Sequence, residues 1–243
     1  MRAALRWLGL VAVAAVALQL FLVARIALMA AVDPQSTAFQ RSEAFRLATA
    51  GDLGRWRQEW VPYATLPDTL KRAVIASEDS DFRSHDGVEW EAIEKAWQRN
   101  TRAEESAARR AAQARGPARP PRVYGGSTIT QQLAKNLFLS GERTLLRKGQ
   151  ELLLSFLLEA LLDKQRILEL YLNSVEWGDG IFGAEAASQR YFRKPAARLS
   201  PAEAARLAVM LPRPRYFEKM PQSAYVAGRT AVVVARMGAV ALP

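Results

Sequence analysis

Three short clusters carry the residue types that move protons and hold negative charge. The first is Glu78, Asp79, Ser80, Asp81 and Phe82, followed by His85, Asp86 and Gly87. Carboxylates crowded beside aromatic and apolar groups have their pKa lifted toward the operating pH, as a general base requires, and Glu78 is the natural candidate. The bland alternative is a helix end whose acids are merely solvated. The second cluster, GGSTITQQLAKNLFL from Gly125 to Leu139, sets Ser127 and Thr128 at a helix amino terminus. Free amide protons and the helix dipole there favour sugar or phosphate oxygens. Gln131, Gln132, Lys135 and Asn136 recur at helical spacing and offer amides and one cation, or simply a wet face. Arg143 leads into the third cluster, Arg147, Lys148 and Glu151. Arg147 and Glu151 stand four apart on one helix face, either as an ordinary surface ion pair or as a catalytic cation beside a carboxylate.

In order and wording these clusters resemble the peptidoglycan transglycosylases of glycosyltransferase family 51, in their monofunctional biosynthetic form, and the likeness runs from about Tyr63 to Phe217. EDSDFRSHDG fits the family's first motif, GGSTITQQLAKNLFL its second and RKGQE its third. KQRILELYLN with GDGIFGAEAASQRYF, and LSPAEAARLAVMLPRP, resemble the fourth and fifth. The resemblance implies a lysozyme-like fold in which Glu78 deprotonates the 4-hydroxyl of an acceptor sugar. It makes Glu151 the second carboxylate, and assigns Lys135, Arg143, Arg147 and Lys148 to a pyrophosphate. Ser127, Thr128, Gln131, Gln132 and Asn136 become substrate contacts, with Asp79, Phe82 and His85 shaping the site. The implied reaction joins lipid II to a growing lipid-linked strand, inverts an α-linked donor to a β-1,4 glycan and releases undecaprenyl pyrophosphate.

Such a displacement develops positive charge on the sugar and negative charge on the leaving group, which explains the need for a carboxylate among several cations. A lytic hydrolase of the same shape would have no use for the cations. A catalytically idle basic scaffold on lipid or wall polymer is the rival of another class. No cofactor is required, no metal motif is present, and magnesium or manganese could assist through the substrate phosphates. The Ser-x-x-Lys and Lys-Thr-Gly motifs of transpeptidases are lacking, so no peptide cross-linking is expected. Glu89 stands where the family commonly has Asp, and the arginine-rich insertion is longer than expected.

The elements that must position these groups begin with an anchor. Trp7 to Ala24 carries no charge, and the apolar character resumes after Arg25 as far as Val32, about the ~20 residues a membrane-crossing helix needs. Arg2 and Arg6 precede it, which leaves residues 1–6 in the cytoplasm and the rest outside. With no small-x-small site after the span, an uncleaved inner-membrane anchor over 7–32 is favoured over a signal peptide. A connector over 33–62 then leads into a transglycosylase domain over 63–243, with a basic insertion at about 98–122. Partners would be lipid II, the glycan strand, the membrane and other wall-synthesis or division proteins, and no nucleic acid.

Of 243 residues half are hydrophobic, and 34 Lys and Arg against 24 Asp and Glu give a charge of +10, drawing the chain to polyanions. With no cysteine and a single histidine, thiolate nucleophiles, disulfides and Cys- or His-rich zinc sites are excluded. Helices are expected over a membrane-proximal FQRSEAFRLA, over LKRAVIASED capped by Asp68, from Trp90 to Trp97, from Ser127 or Thr128 through QQLAKNLF, from Leu145 to Leu162, and from Lys164 to Asn173. Ser200, Pro201 and Glu203 form a capping box before EAARLAVML, and a last helix occupies Ser223 to Val240. Gln98 to Arg122 contains seven arginines. Its second half reads as a loop and EESAARRAAQAR as an exposed helix. No alternating strand pattern is found, so the fold class is mainly α.

Overall fold

In α3 (Asp68–Glu78) the apolar residues Leu70, Ala73 and Val74 fall on one face, so the helix buries that face and leaves its final acid at the edge of the core. A computed structural model describes residues 2–113, 125–139 and 144–243. Among these, α3 packs against α9 (Pro201–Met210) and α11 (Ala224–Met237), while α5 (Ile129–Phe138) lies against α6 (Leu145–Leu161) and α7 (Lys164–Ser174). Ile167, Leu168, Leu170, Tyr171 and Leu172 of α7 are all buried, so this helix runs through the middle of the core. The class is mainly α, as the periodicity indicates.

Most helix limits follow the local chemistry. Ser200 and Glu203 close the expected capping box, with Pro201 at the first helical position of α9. Ser223 caps α11, which ends at Met237. Asp68 does not cap α3: Pro67 occupies that position, and Asp68, one residue inside, accepts from Lys71 Nζ at 3.0 Å. α4 runs unbroken from Trp90 to Gln113, so the helix expected to stop at Trp97 continues into the insertion. Alanine, arginine and glutamate are good helix formers, and the Glu91–Lys95 pair adds i,i+4 support. The loop expected over the rest of the insertion lies outside the described residues.

A small sheet escaped the sequence reading. β1 (Arg57–Gln58) pairs in parallel with β3 (Ile181–Phe182), and β2 (Glu176–Gly178) pairs antiparallel to β3. Strands of two or three residues are too short to show alternation. Ion pairs fasten the sheet to α2 (Ala38–Thr49) and α10 (Pro214–Phe217): Arg215 reaches Glu43 at 2.6 Å and Glu176 at 2.8 Å, Arg55 reaches Asp179 at 2.9 Å, and Arg46 pairs with Glu43 and Asp179. α8 (Ala184–Phe192) follows the sheet, and its Glu185 accepts from the Ala196 amide at 2.7 Å.

α1 (Arg2–Leu28) is long and apolar enough to cross a membrane, and its apolar stretch is not buried in the protein. The helix stops short of Val32 because its end enters the domain. Ile26 and Met29 are buried, Arg25 lies over the Phe138 ring, and Arg166 donates to the Met29 carbonyl and to Asp33, each at 2.7 Å.

Candidate active site

Glu78 ends α3 in a partly covered position with one oxygen accepting from Gln132 Nε2 at 3.0 Å. Burial, reinforced by the charge of Asp79, raises its pKa from 4.5 to about 7, against the opposing pull of hydrogen bonds from Gln132 and Ser77 and the charge of Arg229. The Gln132 carbonyl in turn accepts from the Tyr171 hydroxyl at 2.9 Å. The sequence reading singled out neither Tyr171 nor Arg229.

Asp79 leaves the helix and turns inward. It accepts from the Ile129 amide at 2.9 Å, at the amino terminus of α5, and meets His85 Nε2 at 2.8 Å. The Gly87 amide donates to His85 Nδ1 at 3.1 Å, so the imidazole proton belongs on Nε2, pointing at Asp79. Phe82 is fully buried beneath this loop. The supporting role expected of Asp79, Phe82 and His85 therefore has a geometric content: they bind the loop after Glu78 to the start of α5.

Thr128 and Gln131 are turned away from any ligand. Thr128 caps α5, accepting from the Gln131 amide at 3.2 Å and donating to the Gly87 carbonyl at 2.6 Å, while the Gln131 side chain accepts from the Thr128 amide. Both are buried. The threonine and glutamine, three apart, are a capping-box signature visible in the sequence and not read there. Ser127 and Lys135 are exposed and Asn136 is buried. Lys135 stands three residues beyond Gln132, about 4.5 Å further along the axis.

The third cluster gathers at the start of α6. Glu151 is only 4% exposed and takes Arg147 at 2.9 Å on one oxygen and Lys148 on the other. Arg147 Nε is buried and meets no acceptor among the described residues, while Lys148 keeps about half its side chain in solvent. Arg143 lies outside the described residues.

Two residues that the sequence reading overlooked join the clusters. Glu159, two turns beyond Glu151 and so about 12 Å along α6, accepts from Thr130 of α5 at 2.6 Å and from Lys164 at 2.8 Å. Lys164 also donates to the His85 carbonyl and lies 4.6 Å from the centre of the Phe82 ring. Its position at the head of KQRILELYLN was the available signal. Glu169 and Asn173 of the same motif hold the connector, accepting from the Tyr63 and Val61 amides at 2.8 and 2.9 Å.

The helical domain thus presents one carboxyl group whose pKa lies near neutrality, Glu78, and a separate cationic cluster at the start of α6, the two kinds of group that displacement of an anionic leaving group from a sugar requires. The family model described as "Transglycosylase" matches residues 46–238, and the chain belongs to that family. It is 52% identical to the biosynthetic peptidoglycan transglycosylase of Burkholderia thailandensis, over all of this chain and 90% of that one. Identity is 49% to the protein of that name from Bordetella pertussis, over 94% of this chain and 90% of that one. For Paraburkholderia xenovorans it is 48%, over 98% and 94%.

Proposed function

We propose that this chain polymerises lipid II into β-1,4-linked glycan strands for cell-wall synthesis, releasing undecaprenyl pyrophosphate. One observation carries the reading: Glu78 is reachable and sits on its proton balance near pH 7, where a base of moderate strength abstracts a hydroxyl proton without being permanently protonated. Glu78 takes the proton of the acceptor 4-hydroxyl as that oxygen bonds to the anomeric carbon of the donor strand. The bond from that carbon to the pyrophosphate oxygen breaks, its electron pair leaves with the pyrophosphate, and the proton passes from Glu78 to solvent. Attack from the face opposite the leaving group inverts the anomeric centre.

The leaving group is met by Lys135, Lys148, Arg143 and Arg147, with Glu151 holding Arg147 and Lys148 in place. Gln132 touches Glu78, and Ser127 stands at the mouth of α5. Thr128 and Gln131 support the site by building the helix start, and Asn136 acts from within. The reaction needs no cofactor. Among the described residues the grouping of carboxylates close enough to hold a metal, Glu43, Glu176 and Asp179, is already neutralised by Arg46, Arg55 and Arg215 and fits a structural role instead. A magnesium or manganese ion would enter with the substrate phosphates.

Location supports the same reading. α6 packs against α1 and turns Leu146, Leu153, Phe156 and Leu161 outward, an apolar face beside the anchor that suits a substrate with a polyprenyl tail. We place the chain in the inner membrane with its domain on the outer side, in contact with lipid II, the nascent strand and other wall-synthesis proteins. Fluorescently labelled lipid II, followed by gel separation of products with and without chelator, tests the proposal. Polymer is expected from the parent in both conditions and none from Glu78→Gln. Unaltered polymer from Glu78→Gln removes the base, and no turnover in the parent favours the scaffold.

A further inference from the structure

A primary amide beside a carboxyl group can present either of two faces. Its NH2 stabilises the carboxylate, whereas its carbonyl stabilises the protonated acid, so the orientation of Gln132 decides whether Glu78 is ready to accept a proton. Nothing in Gln132 itself makes that choice. Tyr171 makes it from the other side: its hydroxyl donates to Gln132 Oε1 at 2.9 Å, which leaves Nε2 aimed at Glu78 Oε2, 3.0 Å away. Tyr171 is fully buried in α7, and its ring is rigid. Burial, together with the charges of Glu78 and Asp79, pushes its ionisation well above the ordinary range, so at any working pH it remains a donor.

We propose that Tyr171 is a positioning residue that locks the Gln132 amide with its donor toward Glu78 and thereby sets the pH at which the base becomes available. The proposal rests on the reading of Glu78 as that base. The charged and polar groups facing Glu78 come from four helices and one loop: Ser77 from α3, Asp79 from the loop that follows it, Gln132 from α5, Tyr171 from α7 and Arg229 from α11. The Ser77 hydroxyl can switch between donor and acceptor by rotating, and the Gln132 amide reverses its sign only by turning over as a whole, so it is the amide whose orientation a lock can hold. Without the hydroxyl of Tyr171 the amide is free to offer its carbonyl, and Glu78 then holds its proton to higher pH.

The full-length protein in nanodiscs, carrying glutamate labelled with 13C at the side-chain carboxyl, tests this directly. The Glu78 signal is assigned by its loss in Glu78→Gln and titrated with pH. Tyr171→Phe, which keeps the ring and its packing, should move the midpoint upward by roughly half to one pH unit. The same substitution in the Gln132→Leu background should add no further shift. A midpoint unmoved by Tyr171→Phe overturns the proposal, and so does an equal shift in the Gln132→Leu background, because the hydroxyl would then act on Glu78 without the amide.

In the lipid II assay the acid limb of kcat/KM should follow the spectroscopic midpoint, with the rate recovering at alkaline pH and KM unchanged, whereas a loss of packing would lower the rate equally at every pH. The titration reads the lock even in a protein that polymerises nothing. A midpoint that moves while the rate profile does not move keeps the lock and removes Glu78 as the base.

Discussion

Replacing Glu78 by Gln should make the protein more stable as it destroys turnover, and the gain should depend on pH. The folded protein holds this carboxyl near pH 7 where an exposed one ionises at 4.5. Below about pH 4.5 both folded and unfolded forms carry the proton, and the side chain makes no difference to stability. Between the two values the unfolded chain ionises and the folded chain does not, so stability falls as pH rises. Above pH 7 the folded protein carries the full cost of an ionised carboxylate in a poorly hydrated place, at about 1.36 kcal/mol per pH unit roughly 3 kcal/mol in all. Gln is neutral and nearly the same shape, and its carbonyl can still accept from Gln132 Nε2. Thermal melts of parent and Glu78→Gln in the same detergent should coincide near pH 4.5 and separate to roughly 6–12 °C at pH 8, with the variant higher. A difference that stays flat with pH, or a variant that melts below the parent at pH 8, would refute the reasoning, because burial would then not be what raises Glu78.

Arg147→Met should destabilise by about 3 kcal/mol in thermal melts, since Glu151 is then a buried carboxylate left with Lys148 alone. Polymer formation should be lost with it, and Arg147→Lys should restore more of the stability than of the activity. Lys164→Met should lower kcat for lipid II while KM holds, because Lys164 ties the His85 loop to Glu159 and lies behind the site. A changed KM with unchanged kcat would count against that role. Gly87→Ala should cost roughly 1–3 kcal/mol, measured by the shift in melting temperature. Gly87 has φ +83°, and an added Cβ would come within 2.9 Å of Glu159 Cγ and 3.3 Å of the Ser155 carbonyl.

The helical class, the apolar first helix and the capped start of α9 were legible because each rests on a pattern contained within a few neighbouring residues. The motif words likewise pointed to Glu78, Gln132, Arg147, Lys148 and Glu151 as polar groups worth following. What the words did not separate was direction. Thr128 and Gln131 read as ligands, yet one hydroxyl and one amide turn inward to cap α5, an outcome set by the backbone donors a helix start leaves unpaired. Lys164, Glu159 and Tyr171 become part of the site only through contacts between distant parts of the chain, such as the 79 residues separating Lys164 from His85. Strands as short as β1 to β3 are fixed by their neighbours and the arginines around them, and no window of sequence is long enough to declare them.

The junction at Met29 and Arg166 bears on how the proposed polymer would travel. Ile26 and Met29 at the end of α1 are buried against the domain, and Arg166 holds the Met29 carbonyl and Asp33, so α1 passes into the domain through packed residues and not through a loose linker. On the function proposed above, the site would then keep one height and one bearing relative to the lipid surface. Each new sugar would then arrive by sideways diffusion through the leaflet and the finished portion would slide away past the domain, so that the direction in which wall material is laid down would be decided where a helix ends.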